Sequence, residues 1–230
     1  MMKKITLLIS VFLMTITISA QETGEDKWGS WAMIFTNNRI SDKLSIHAEA
    51  QYRNYEFGNN FNQLLLRTAL NYDISENAMI SFGYGNITTD PTFIDEDIDG
   101  IGNFNEHRIY QQLVLRNSVG KLKFSHRYRL EQRFIEDLDT QHRARYFLRV
   151  TYPLNEKWFL TAYDEVFINL QEPLFGQNRL YGAVGYNVNA NINFQVGYLK
   201  NHFTGANFDR FQAALFIKTD LRKKGRDDVN

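Results

Sequence analysis

Residues 121–134, KLKFSHRYRLEQRF, alternate with a period of two. Leu122, Phe124, His126, Tyr128, Leu130, Gln132 and Phe134 interleave with Lys121, Lys123, Ser125, Arg127, Arg129, Glu131 and Arg133. Successive side chains of an extended chain point to opposite faces, so the first set makes a mostly apolar, aromatic face and the second a charged one. The stretch is longer than the usual five or six residues of a strand in a soluble sheet, and long enough to cross a bilayer at a tilt. Such a strand needs two environments: an apolar one on one side, and counter-charges or water on the other.

The theme repeats along the chain. Strand-like segments are expected at 28–40, 44–56, 61–74, 78–88, 106–119, 121–135, 142–152, 158–170, 178–188, 192–201 and 209–219. Leu44, Ile46, Ala48, Ala50 and Tyr52 oppose Ser45, His47, Glu49, Gln51 and Arg53, and Leu180, Gly182, Val184, Tyr186 and Val188 oppose Arg179, Tyr181, Ala183, Gly185 and Asn187. Tight turns at 41–43, 75–77, 120, 154–157 and 189–190 alternate with longer loops at 57–60, 89–105, 136–141, 171–177 and 202–208. Short turns on one rim and longer loops on the other describe an all-β, up-and-down antiparallel transmembrane β-barrel of about 10–12 strands. Eleven segments are countable, whereas single-chain bacterial barrels have even numbers, so the expectation is ten or twelve. A secreted soluble barrel or sandwich has the same alternation with the apolar face inside. Strand length, the aromatic supply (Phe 18, Tyr 12, Trp 3) and the arginine-dense face favour the membrane form.

Targeting agrees. Lys3 and Lys4 precede an apolar stretch, 5–18, and the small residues Ser19 and Ala20, so residues 1–20 read as a signal peptide and 21–230 as the barrel domain. Removing those two lysines from a balance of 26 cations and 26 carboxylates leaves a net charge of −2, which gives no reason to expect a nucleic-acid partner. There is no cysteine, hence no disulfide framework, lipid-modified cysteine or thiol chemistry. No later stretch approaches the eighteen apolar residues of a spanning helix. The expected location is the cell outer membrane and the expected partner its lipid.

Several stretches carry a family likeness: WGSW (28–31), HAEAQYRNYE (47–56), NEHRIYQQ (105–112), HRYRLEQRF (126–134), AYDEVFINL (162–170) and QNRLYGAVGY (177–186). Together they resemble a family of Gram-negative proteins, mostly from Bacteroidota, described as domain of unknown function 2490. The resemblance spans essentially the whole mature chain. It implies an outer-membrane β-barrel and no particular activity.

With the apolar face toward lipid, the charged face lines a lumen. The expected cluster is Glu49, Arg53, Glu106, Arg108, Arg116, Arg127, Arg129, Glu131, Arg133, Arg143, Arg145, Arg149, Asp164, Glu165 and Arg179. Asp164 and Glu165 are adjacent, so either a bulge turns both inward or one lies at the rim. Two roles stay open: a structural plug of guanidinium–carboxylate pairs, or a narrow porin-like pore favouring small anionic solutes. The segment 95–106, DEDIDGIGNFNE, follows a twelve-position calcium-loop pattern, with Asp95, Asp97, Asp99, Ile101, Asn103 and Glu106 as ligands. Its flanks read as strands, and an acidic surface loop is the alternative; no other cofactor is expected.

An enzymatic alternative is a membrane-embedded acyl hydrolase with its catalytic groups on the lipid-facing wall. His107, His126 and His142 share the parity of the apolar face, but Ser125 beside His126 must point the other way. No serine elbow or zinc spacing is present, so no catalytic residue is assigned and a non-enzymatic barrel is expected.

Overall fold

The structure, a computed structural model, describes residues 24–93 and 103–222; the expected signal peptide, 1–20, lies outside them. The strands are β1 (Trp28–Arg39), β2 (Leu44–Glu56), β3 (Asn59–Ser75), β4 (Ala78–Thr89), β5 (Phe104–Val119), β6 (Leu122–Ile135), β7 (Gln141–Pro153), β8 (Trp158–Asn169), β9 (Phe175–Asn187), β10 (Ile192–Phe203) and β11 (Ala206–Asp220). Each pairs with its sequence neighbour, and β1 pairs with β11, closing a barrel. Closure leaves no unpaired edge along such long strands.

The strand number corrects the expectation of ten or twelve. Among the described residues there are eleven strands, and an odd number of alternating strands brings the first and last together pointing the same way. The seam is therefore parallel, running in unbroken register from Trp28↔Asp209 to Arg39↔Asp220. All other pairs are antiparallel. The loop rim is also tighter than expected. Residues 57–60 and 202–208 are mostly absorbed into strands that meet at two-residue turns, 57–58 and 204–205. Gly58 and Gly205 supply the left-handed conformations, φ 74° and 80°, that such turns require. The long connection on that rim is the one between β4 and β5.

The polarity is the inverse of a soluble protein's. Many of the residues that point outward are large and apolar, among them Phe82 (60% exposed), Leu180 (54%), Leu130 (50%) and Leu70 (50%). Those that point inward and are buried include Glu49, Gln51, Arg53, Arg67, Arg108, Arg129, Glu131, Arg145, Glu165, Arg210 and Gln212. Apolar side chains fill the remaining interior: Trp31, Tyr181 and Leu199 form one cluster, packed by Met33, Tyr163 and Ala183. Large inward rings need small neighbours. A Cβ on Gly83 would lie 2.3 Å from the Tyr110 ring, and one on Gly185 would lie 2.0 Å from the Phe159 ring.

Candidate functional site: the arginine-lined lumen

Four glutamates from four strands organise the lumen. Glu131 on β6 has a fully buried side chain and accepts two bonds from Arg143 (2.9 and 2.6 Å) and one from Arg145 Nη1 (2.6 Å). Arg129 and Arg108 stand at 3.5 and 3.8 Å from the same carboxylate. Glu165 on β8 accepts from Arg145 (3.0 and 2.5 Å) and from Arg127 (2.6 Å). Glu106 on β5 accepts from Arg108 (2.7 Å) and, through both its oxygens, from Arg133 (2.8 Å each). Glu49 on β2 takes Arg67 at 3.0 Å, His47 at 3.2 Å and the Gln51 amide. Glutamine carbonyls extend the network: Arg129 donates to Gln112 (3.0 and 2.6 Å) and Arg53 to Gln51 (3.0 and 2.5 Å). Ladder geometry makes this possible, because residues directly opposite on neighbouring strands share a face, as Glu131↔Arg143 and Glu49↔Arg67 do.

Aromatic rings support the guanidinium groups from the side. Arg53 lies 3.8 Å from the Trp31 ring centre, Arg145 4.2 Å from Phe167, Arg129 4.3 Å from Tyr110 and Arg127 4.4 Å from Phe147. Arg179 is held between Trp31 (4.9 Å) and Phe167 (4.7 Å). Ring faces carry negative potential, so these contacts offset part of the burial cost of the cations.

The balance is unequal. Arg53, Arg67, Arg108, Arg127, Arg129, Arg133, Arg143, Arg145, Arg149, Arg179 and Arg210 face inward, against Glu49, Glu106, Glu131 and Glu165. Arg179 sits opposite Glu165 in the ladder, yet that carboxylate is turned toward Arg127 and Arg145. All of these arginines but Arg129 line a cavity of about 550 Å³, which runs from Asn62, Phe104 and Phe203 near the loop rim down to Phe35 and Phe216. Phe35 and Phe216 stack at 4.6 Å. On the turn side of the interior, Asn71 donates to Asn37 (3.1 Å) and Ser45 (3.2 Å), and Gln112 to Ser81 (3.1 Å).

The lumen thus gathers most of the expected cluster: Glu49, Arg53, Glu106, Arg108, Arg127, Arg129, Glu131, Arg133, Arg143, Arg145, Arg149, Glu165 and Arg179. Two members differ. Asp164 faces outward, because the ladder runs regularly through Asp164 and Glu165 and the register of β8 shifts only at Phe167/Ile168; its carboxylate takes the Asn178 amide at 3.1 and 3.0 Å. Arg116 points to the turn-side mouth, exposed, and touches the Met79 sulfur (3.9 Å) rather than a carboxylate. Arg67 and Arg210 belong to the lumen and were not anticipated. Of the calcium-loop residues, Asp95, Asp97, Asp99 and Ile101 lie outside the described residues. Glu106, the last of the six, is held inside the wall by Arg108 and Arg133. His107 and His126 face outward as their parity requires, bonded to the hydroxyls of Tyr84 (2.5 Å) and Tyr146 (2.9 Å).

A comparison with curated proteins returned no match. A family model described as protein of unknown function (DUF2490) matches residues 28–212. That span runs from the first residue of β1 to the Gln212 position of β11 and takes in the lumen network, and the chain therefore belongs to this family of unknown function.

Proposed function

We propose that this protein is a non-enzymatic β-barrel of the cell outer membrane whose lumen is a charged plug rather than an open channel. The observation that carries the reading is how polar groups on the outer wall are treated. Gln111 and Gln132 exchange two hydrogen bonds (3.1 and 3.3 Å). Asp164 takes Asn178, Lys200 pairs with Asp209 (3.0 Å), Thr88 with Asn105 (2.8 Å), and the outward histidines with tyrosines. Water would satisfy such groups without help, whereas a hydrocarbon surface requires them to satisfy one another. The exposed Leu, Phe and Tyr side chains around them supply the apolar band, and the secretory character of residues 1–20 supports export.

The plug reading rests on the Glu131, Glu165 and Glu106 networks and on the Phe35–Phe216 stack, which crowd the interior. The pairing of His107 and His126 with tyrosines, on the face opposite Ser125, supports a non-catalytic wall. The arginine excess favours a second reading, a narrow anion-selective pore. Membrane fractionation and planar-bilayer recording separate the possibilities. The plug predicts recovery in the outer-membrane fraction with a conductance indistinguishable from bare lipid. Steady anion-selective steps would replace it with the pore, and recovery as a detergent-free soluble protein would overturn the membrane assignment.

A further inference from the structure

The unmet hydrogen-bonding capacity of the lumen has one sign. Among the described residues, the buried side-chain polar atoms without a hydrogen-bond partner are Trp31 Nε1, Gln212 Nε2, Arg129 Nη1 (which keeps its ion pair to Glu131 at 3.5 Å) and the Nε atoms of Arg67, Arg127, Arg149 and Arg179, together with one acceptor, Asn201 Oδ1. Seven are donors. Buried polar groups are nearly always satisfied, so what completes this interior is a species made of acceptors. Water could accept these bonds, but it would not offset the charge of the inward groups, which among the described residues are eleven arginines facing four glutamates.

Trp31, Arg67, Arg127, Arg149, Arg179 and Gln212, six of the seven donor residues, line the same cavity. Trp31 and Gln212 are ladder partners across the β1–β11 seam, and Arg179 lies against the Trp31 ring at 4.9 Å. Tyr163 points its hydroxyl at the Gln212 carbonyl (3.5 Å), and Arg149 lies 6.0 Å from the Tyr163 ring. Arg127 and Arg149 flank the same Phe147 ring, at 4.4 and 5.2 Å. Arg149 and Arg179 have no hydrogen-bond acceptor among the described residues. Their aromatic supports fix the guanidinium groups without neutralising them, which preserves their donors for a ligand.

We infer that the lumen is a binding site for a multiply charged oxyanion, a phosphate group, held by Arg149, Arg179 and Arg127 with Trp31 and Gln212 donating from the seam. The donors come from β1, β6, β7, β9 and β11 and so approach from around the axis. That arrangement suits a tetrahedral group with four oxygens better than a planar carboxylate with two. Guanidinium forks match phosphate edges, and the surplus of cations calls for more than one negative charge. The inference rests on the lumen reading above and names the ligand class that the plug retains.

The test is isothermal titration of the full mature chain, folded in nonionic detergent at low salt, with inorganic phosphate, glycerol 3-phosphate and acetate as separate probes. Saturable binding of phosphate, with acetate at least about tenfold weaker, is expected. Arg149→Gln and Arg179→Gln should each weaken binding by about tenfold, the loss of one charge-assisted hydrogen bond. Trp31→Phe keeps an aromatic ring beside Arg53 and Arg179 and removes the Nε1 donor with the pyrrole half of the indole, so it should weaken binding several-fold even if the arginine variants fail to fold. Arg222→Gln, at the exposed turn rim, should leave it unchanged. Tighter binding of glycerol 3-phosphate than of phosphate identifies a phosphate ester as the ligand; the reverse order identifies the free ion. No saturable heat from a chain that keeps its heat-modifiable mobility overturns the inference and leaves the membrane barrel standing. So does acetate binding as tightly as phosphate, or binding indifferent to Trp31→Phe and to each folded arginine variant.

Discussion

Arg143 stands directly opposite Glu131 in the β6–β7 ladder and gives it two hydrogen bonds, at 2.9 and 2.6 Å. Arg145, two residues further along the same strand, reaches the other oxygen of that carboxylate at 2.6 Å. One glutamate with no exposed side-chain surface thereby joins β6 to β7 and compensates guanidinium groups from three strands. Removing a member of such a network is worse than never having built it, because the partners stay buried and charged.

Glu131→Ala is therefore expected to destabilise the barrel by about 3–5 kcal/mol. Glu131→Gln, which keeps the shape and one acceptor, should fall between the two. Urea midpoints followed by heat-modifiable gel mobility measure both. A Glu131→Ala midpoint equal to wild type would show that the carboxylate is not needed to hold the arginines.

The outer wall gives a prediction with a sign. Asn178→Leu removes the partner of Asp164 and leaves a carboxylate alone on an apolar surface, which should cost about 1–3 kcal/mol. Adding Asp164→Leu should recover most of that loss, since replacing both partners by apolar groups removes the unsatisfied charge. The double-mutant cycle reads this directly; additive losses would contradict the pairing.

Inward glycines make space for rings. Gly83→Ala and Gly185→Ala push a methyl group into Tyr110 and Phe159, with contacts of 2.3 and 2.0 Å before relaxation, and each should cost about 1–3 kcal/mol. Gly182→Ala, which meets nothing within 4 Å, should stay within about 0.5 kcal/mol of wild type. Equal effects at all three positions would contradict the assigned facing of β9 and β4.

Much of this architecture is legible in the chain because a barrel wall with one apolar and one charged face imposes strict alternation. The bounds of β2, 44–56, and the outward parity of His107 and His126 follow from counting by twos. Closure into a barrel was expected, but the parallel seam was not legible: it joins Trp28 to Asp209, and no local pattern encodes a pairing between chain ends. Arg67 was hidden by its surroundings, since Leu64, Leu65 and Leu66 place leucine on both faces just before it. Asp164 and Glu165 could not be told apart because both faces of β8 are mostly apolar, with Phe159 and Phe167 inside and Leu160 and Ile168 outside. The rings opposite Gly83 and Gly185 come from other strands, so they appear only once the register is known.

The direction in which the strands face is directly measurable, because the chain has no cysteine. Single cysteines at Ser81, Ser45 and Thr161, which point inward, and at Phe82, Ile46 and Leu160, which point outward, can each carry a spin label in protein reconstituted into lipid. Collision with oxygen, which concentrates in acyl chains, should be high for the labels at Phe82, Ile46 and Leu160 and low for their inward neighbours. The opposite pattern, or uniform accessibility to a water-soluble nickel chelate at the outward positions, would show that the apolar face does not meet lipid.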